Sequence, residues 1–188
     1  TGTKLETIGN YAFYLNKLDS LDCLQLNSLV SIGTNAFESN SITNLDLSTC
    51  TNLSSIGNSA FNYNSIVSLD LLSCKNLSSI GNNAFTWNNI NDLNLSECTS
   101  LIFIGSNAFL GNSITGFALP KPNIPGFTLA YWLDGTNTQH AGGEFVSNFN
   151  ITYSANMAQA ILATFNVSDG TNPLEGILIE LPGYDTLA

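Results

Sequence analysis

Asp22, Asp46 and Asp70 are spaced by 24 residues, and Asn94 falls next in the same series. Oxygen-bearing side chains in one column are what a hard cation such as calcium takes as ligands. Asp92 adds a further carboxylate nearby. Two carboxylates about 5 Å apart repel by about 1 kcal/mol in water, and by several times that at a lower effective dielectric. A column of them therefore needs a reason. One is a weak cation site at Asp46 and Asp70, or a docking stripe for a basic partner. The other, preferred here, is a hydrated face on which Ser20, Asn44, Ser68 and Ser96 share hydrogen bonds. No dedicated metal centre is expected. Tyr63 and Trp87, also 24 apart, form a second candidate. Exposed neighbouring aromatics anchor protein or sugar recognition. A local packing pair is the equal alternative.

Catalysis finds little to work with. The only histidine, His140, has no Ser or Cys motif beside it, and no phosphate-binding Gly-rich loop occurs. The expectation is a protein without enzymatic activity and without cofactors. Cys50, Cys74 and Cys98 share one inward position, while Cys23 stands where Leu47 stands a turn later. Parallel neighbours sit about 4.8 Å apart, which distance alone would let a disulfide bridge, but side chains pointing the same way suit it poorly. Buried free thiols are expected.

The elements that must position these residues follow from a repeat. Ile-Gly-x-x-Ala-Phe begins at Ile8, Ile32, Ile56, Ile80 and Ile104, a period of 24 residues. Units this small cannot bury an apolar face alone and must stack as a solenoid. Between the starts runs Ile42, Leu45, Leu47, Cys50, Leu53, repeated from Ile66 and from Ile90. Alternation over residues 44–48 predicts a short strand with one face inward. The other half reads as a helical turn capped by Asn10, Thr34, Asn58, Asn82 or Ser106, with the preceding Gly allowing a sharp reversal. Asn16, Asn40, Asn64, Asn88 and Asn112 read as a ladder whose amides satisfy turn backbone.

This repeat resembles the leucine-rich repeats of BspA-type bacterial surface proteins, over residues 5–119. The resemblance implies an α/β-type solenoid of parallel short strands and short helical turns, and attachment to host proteins or other cells. Domain 1–119 is the repeat unit, and prolines at 120, 122 and 125 end it. Residues 120–158 are expected to form a small β module or cap covering Phe117 and Leu119. Their Pro125-Gly126-Phe127, Trp132 and residues 151–155 resemble the small β-repeats of Listeria and Bacteroides surface proteins. Residues 159–188 resemble the start of an immunoglobulin-like β module of the carboxypeptidase-regulatory type. Two such strands cannot bury a core alone, so they are expected to pair with the preceding β-region or with another molecule.

Charge narrows the partners. Four Lys, no Arg and 14 acidic residues give a net charge of −10. Nucleic acid requires cations to displace its counterions, and an anionic bilayer attracts the same residues, so both are disfavoured. No run is long enough for a membrane span. Starting at Thr1 rather than Met suggests a processed segment, and Leu5 suggests the tail of a preceding repeat. The reading is a cell-surface or secreted adhesion protein whose repeat face binds an extracellular or host protein or a glycan. The alternative is a structural spacer presenting another domain at the cell surface. Asn-x-Ser/Thr sequons at Asn52, Asn76, Asn94, Asn150 and Asn166 are attributed to the repetition.

Overall fold

A computed structural model describes residues 4–22, 26–123, 127–134, 136, 138–141, 145–146 and 153–159. The repeats coil as a solenoid of about four turns with two short strands in most of them. These are β1 (Thr7–Ile8), β2 (Ser20–Asp22), β3 (Ser31–Ile32), β4 (Asn44–Asp46), β5 (Ser55–Ile56), β6 (Ser68–Asp70), β7 (Ser79–Ile80), β8 (Phe103–Ile104) and β9 (Phe117–Ala118). β1, β3, β5, β7 and β8 run parallel along one side, with Ile8, Ile32, Ile56, Ile80 and Ile104 in register. β2, β4 and β6 form a second parallel sheet. The strand foreseen over residues 44–48 is thus there as Asn44–Asp46, and the Ser-Ile pair ahead of each glycine supplies another.

Between the sheets lies one apolar column per repeat position. Phe13, Phe37, Phe61, Phe85 and Phe109 stack face to face, with centroids 5.0, 5.1, 5.3 and 5.5 Å apart. Leu47, Leu71 and Leu95, and Cys50, Cys74 and Cys98, are buried in the same way. Fully burying a residue of this size contributes about 1.5–3 kcal/mol, and the neighbouring turn supplies the contact.

The expected helical turn is not formed; no helix occurs among the described residues. The cause is a left-handed backbone at two positions per unit: Tyr11, Asn35, Ser59, Asn83 and Asn107, then Leu15, Ser39, Tyr63 and Trp87. A right-handed helix cannot continue through such residues. Their N–H groups bond across turns instead, as Asn35 to Asn58 O (2.9 Å), Ser39 to Asn62 O (2.9 Å) and Ser59 to Asn82 O (2.8 Å). The supposed caps accordingly serve their neighbours. Asn10 Oδ1 accepts the Thr34 N–H and Asn58 Oδ1 the Asn82 N–H, both at 2.8 Å. Nor does the glycine provide a reversal. A Cβ at Gly57 would lie 2.7 Å from Gly33 C, so that position is small because two backbones touch there.

The asparagine ladder is present as expected. Asn64 Nδ2 donates to Phe37 O (2.9 Å) and Phe61 O (3.1 Å), and its Oδ1 accepts the Ile42 N–H (3.1 Å). Asn40, Asn88 and Asn112 repeat this.

Beyond the repeats follow β10 (Phe127–Asp134), β11 (Gln139–His140), β12 (Phe145–Val146) and β13 (Tyr153–Gln159). β13 pairs antiparallel with β8, and β10 with β13, so the solenoid's own sheet is extended. β12 pairs with β9, where Phe117 and Val146 are buried, and Trp132 Nε1 donates to Pro120 O at 2.9 Å. Residues 160–188, with the expected immunoglobulin-like start, lie outside the described residues, as does Cys23.

Candidate functional site

The register sets Asp22, Asp46 and Asp70 side by side on adjacent strands. Of Asp22 the backbone alone is described. Asp46 Oδ1 accepts the N–H of Ser48, Asp70 Oδ1 that of Leu72, and Asn94 Oδ1 that of Ser96, each at 2.9 Å. Each side chain thereby closes an Asx turn as its chain leaves the sheet side. The neutral Asn94 does this as well as the carboxylates do, so the column has a structural reason that needs no charge. The Ser48 hydroxyl, and then its N–H, hold the Asp46 carboxyl below the ordinary carboxylate range. Asp92 belongs to the neighbouring column of Asn44 and Ser68 and is exposed. Among the described residues no group of three or more His, Cys, Asp or Glu side chains could hold a metal.

The aromatic pair is the other candidate, and here the structure brings both residues together. Tyr63 and Trp87 stack with centroids 6.3 Å apart and rings within 11° of parallel, and they are 55% and 53% exposed. Their positive φ values, 53° and 54°, turn both side chains out of the stack in the same way. One turn beyond Trp87 the equivalent residue is Gly111, where a Cβ would lie 2.7 Å from the indole. Trp87 is therefore backed by bare chain on one face and by Tyr63 on the other. On the far side of Tyr63 the equivalent residue is Ser39, and beyond it Leu15, which is highly exposed.

A family model described as "BspA type Leucine rich repeat region" matches residues 3–126 in six copies. The chain belongs to this family. Repeats of this kind stack into extended surfaces that commonly mediate protein interactions. Among solved structures, one described as "Functional domain of InlJ from Listeria monocytogenes includes a cysteine ladder" is 21% identical, with a TM-score of 0.37. The match covers 58% of this chain and 25% of that one, so the chain spans a minor part of that protein's length. No curated protein matches.

In this BspA-type chain Cys50, Cys74 and Cys98 are fully buried, and Cys74 and Cys98 are free thiols. Cys74 Sγ donates to Leu47 O (3.6 Å) and Cys98 Sγ to Leu71 O (3.5 Å), each one turn back. Burial pushes both thiols up to about 12. Such groups are poor nucleophiles and metal ligands. The sequon residues Asn52 and Asn76 spend their amides on Asn27 O and Thr51 O, both at 2.9 Å. A cleft of about 640 Å³, lined by Thr51, Asn52, Leu72, Lys75, Asn76 and Glu97 among others, includes neither the carboxylate column nor the aromatic pair.

Sequence reasoning found Tyr63 and Trp87 but not the residues that frame them. Ser39 and Gly111 occupy the same column at the same period, and that spacing was the available signal. Glu38 was also passed over; its carboxylate accepts from Asn62 Nδ2 (3.0 Å) and Asn35 Nδ2.

Proposed function

We propose that the chain is a non-catalytic binding module of a cell-surface or secreted protein, which takes an extracellular or host protein, or a glycan, through Tyr63 and Trp87. The observation that carries this reading is the exposed, mutually stacked pair. Large aromatic rings left in water on a well-packed repeat lower solubility unless a partner covers them. Because both rings are held by backbone that the ladder fixes, a partner meets a preformed surface and little ordering cost remains. The acidic column is a secondary docking stripe in this reading, with Asn94 at its end and Asp92 in the column beside it. Residues 120–158 act as a cap in this reading. No helix among the described residues is long and apolar enough to cross a membrane.

The test is capture of defined extracellular-matrix proteins and of mucin by the full chain. The Tyr63→Ala/Trp87→Ala double variant is expected to lose capture while melting at the parent temperature. Equal capture by both proteins would refute the aromatic site. Absence of capture by the parent would favour the spacer reading, in which the stack only carries a neighbouring domain.

A further inference from the structure

The aromatic column is incomplete in a specific way. Its five positions read Leu15, Ser39, Tyr63, Trp87 and Gly111, one per turn, and the four non-glycine residues share a positive φ between 53° and 58°. Trp87 is closed by Gly111 on one side and by Tyr63 on the other, but the outer face of Tyr63 looks onto a turn whose side chain is a serine. Leu15 bounds the far side and is 65% exposed. Leu15 and Tyr63 are two turns apart, about 10 Å at strand spacing. One flat group fits between them, stacked on the ring of Tyr63.

Charge decides which flat group. Glu38 stands on the same turn as Ser39, its carboxylate held by two neutral amides, and among the described residues no lysine pairs with it. The whole chain is −10. A tyrosine face attracts cations, and a guanidinium is both planar and cationic, so it stacks where an ammonium cannot. Carboxylate oxygens with lone pairs to spare can take its N–H groups.

We infer that the gap above Ser39, between Leu15 and Tyr63, is an arginine-binding slot, in which the guanidinium of a basic protein partner stacks on Tyr63 beside Glu38. This rests on the aromatic pair being the binding site and commits it to a basic polypeptide.

The experiment titrates the full chain with hexa-arginine, with hexa-citrulline, which has the same shape without the charge, and with a neutral glucose hexasaccharide. The heat of binding, followed by titration calorimetry, is the readout. Hexa-arginine is expected to bind, weakening about tenfold as salt screens the attraction, while citrulline and sugar do not. Ser39→Trp fills the slot on a backbone that already carries Trp at the equivalent position 87, and is expected to abolish binding. Tyr63→Leu serves if that variant does not fold. Glu38→Gln is expected to weaken binding several-fold and flatten the salt dependence. Binding of the sugar in place of the peptide would overturn the slot and leave the aromatic site standing. Arginine binding untouched by Ser39→Trp and Tyr63→Leu would overturn the slot as well. Binding of none of the three probes would refute it outright, and the capture experiment would then decide separately whether the pair binds anything.

Discussion

The amide of Asn88 bridges Phe61 and Phe85, donating to Phe61 O at 2.9 Å and to Phe85 O at 3.1 Å, while its Oδ1 takes the Ile66 N–H at 3.0 Å. One buried side chain thus satisfies three backbone groups from two adjacent turns. Leaving a buried polar group unmade costs about 1–3 kcal/mol. Asn88→Ala is therefore expected to destabilise by at least about 3 kcal/mol in urea unfolding. Asn16, exposed and holding only Tyr14 O at 3.2 Å, is expected to lose under about 0.5 kcal/mol on the same change.

Gly9 and Gly57 occupy the same repeat position with opposite surroundings. A Cβ at Gly9 meets nothing within 4 Å, whereas at Gly57 it meets backbone at 2.7 Å. Gly57→Ala is expected to cost about 1–3 kcal/mol or more, since two main chains must part. Gly9→Ala is expected to be neutral or slightly stabilising. Paired thermal melts decide it, and equal effects would refute the close-approach account.

The thiols give a pH signature. Cys74 and Cys98 titrate near 12 in the folded chain because they are buried, against about 8.5 when unfolded. Below the unfolded value both states keep the proton and nothing is lost. Between about 8.5 and 12 only the unfolded state ionises, so stability falls as pH rises, by up to about 1.4 kcal/mol per pH unit for each thiol. Cys74→Ala/Cys98→Ala should show a flatter alkaline limb than the parent. At neutral pH a disulfide reagent should label neither thiol until the chain is unfolded.

Asp46 works in the opposite sense. Its folded value lies below 3.8 because the Ser48 hydroxyl and N–H favour the carboxylate, so its contribution is present above that pH and fades in stronger acid. Asp46→Asn keeps an oxygen for the turn and is expected to change stability little at pH 7. Asp46→Ala should cost about 0.5–1 kcal/mol. Millimolar calcium is expected to leave the melting temperature unchanged, and a rise of several degrees would revive the cation site.

Much of the fold was legible because each inward position recurs without a break. Phe37, Phe61 and Phe85 could be placed in one interior by counting, and the Asn64 ladder by the chemistry of its amide. The helical turn was misread because Ala-Phe preceded by Asn or Ser fits a capped helix as well as a left-handed turn. What separates them is the neighbouring turn, which pulls the N–H of Asn35 onto Asn58 O, and that competition is invisible within one unit. The aromatic pair could be counted out in advance. Its open side depends on the small residue at 39 and its closed side on the bare backbone at 111, which matter only once the rings are stacked.

The first turn shows what the repeat design does to the order of melting. Phe13 is 41% exposed where Phe37 is fully enclosed, and the β1 edge is paired with β3 alone among the described strands. Each turn's cohesion belongs to the junction it shares with the next, so the outermost turn has half the cohesion of any within. In a chain of these 188 residues, heating should peel the stack from Thr7 inward, one winding at a time. Amide exchange would record a slope of protection that climbs toward Ile80, in place of a single cooperative step.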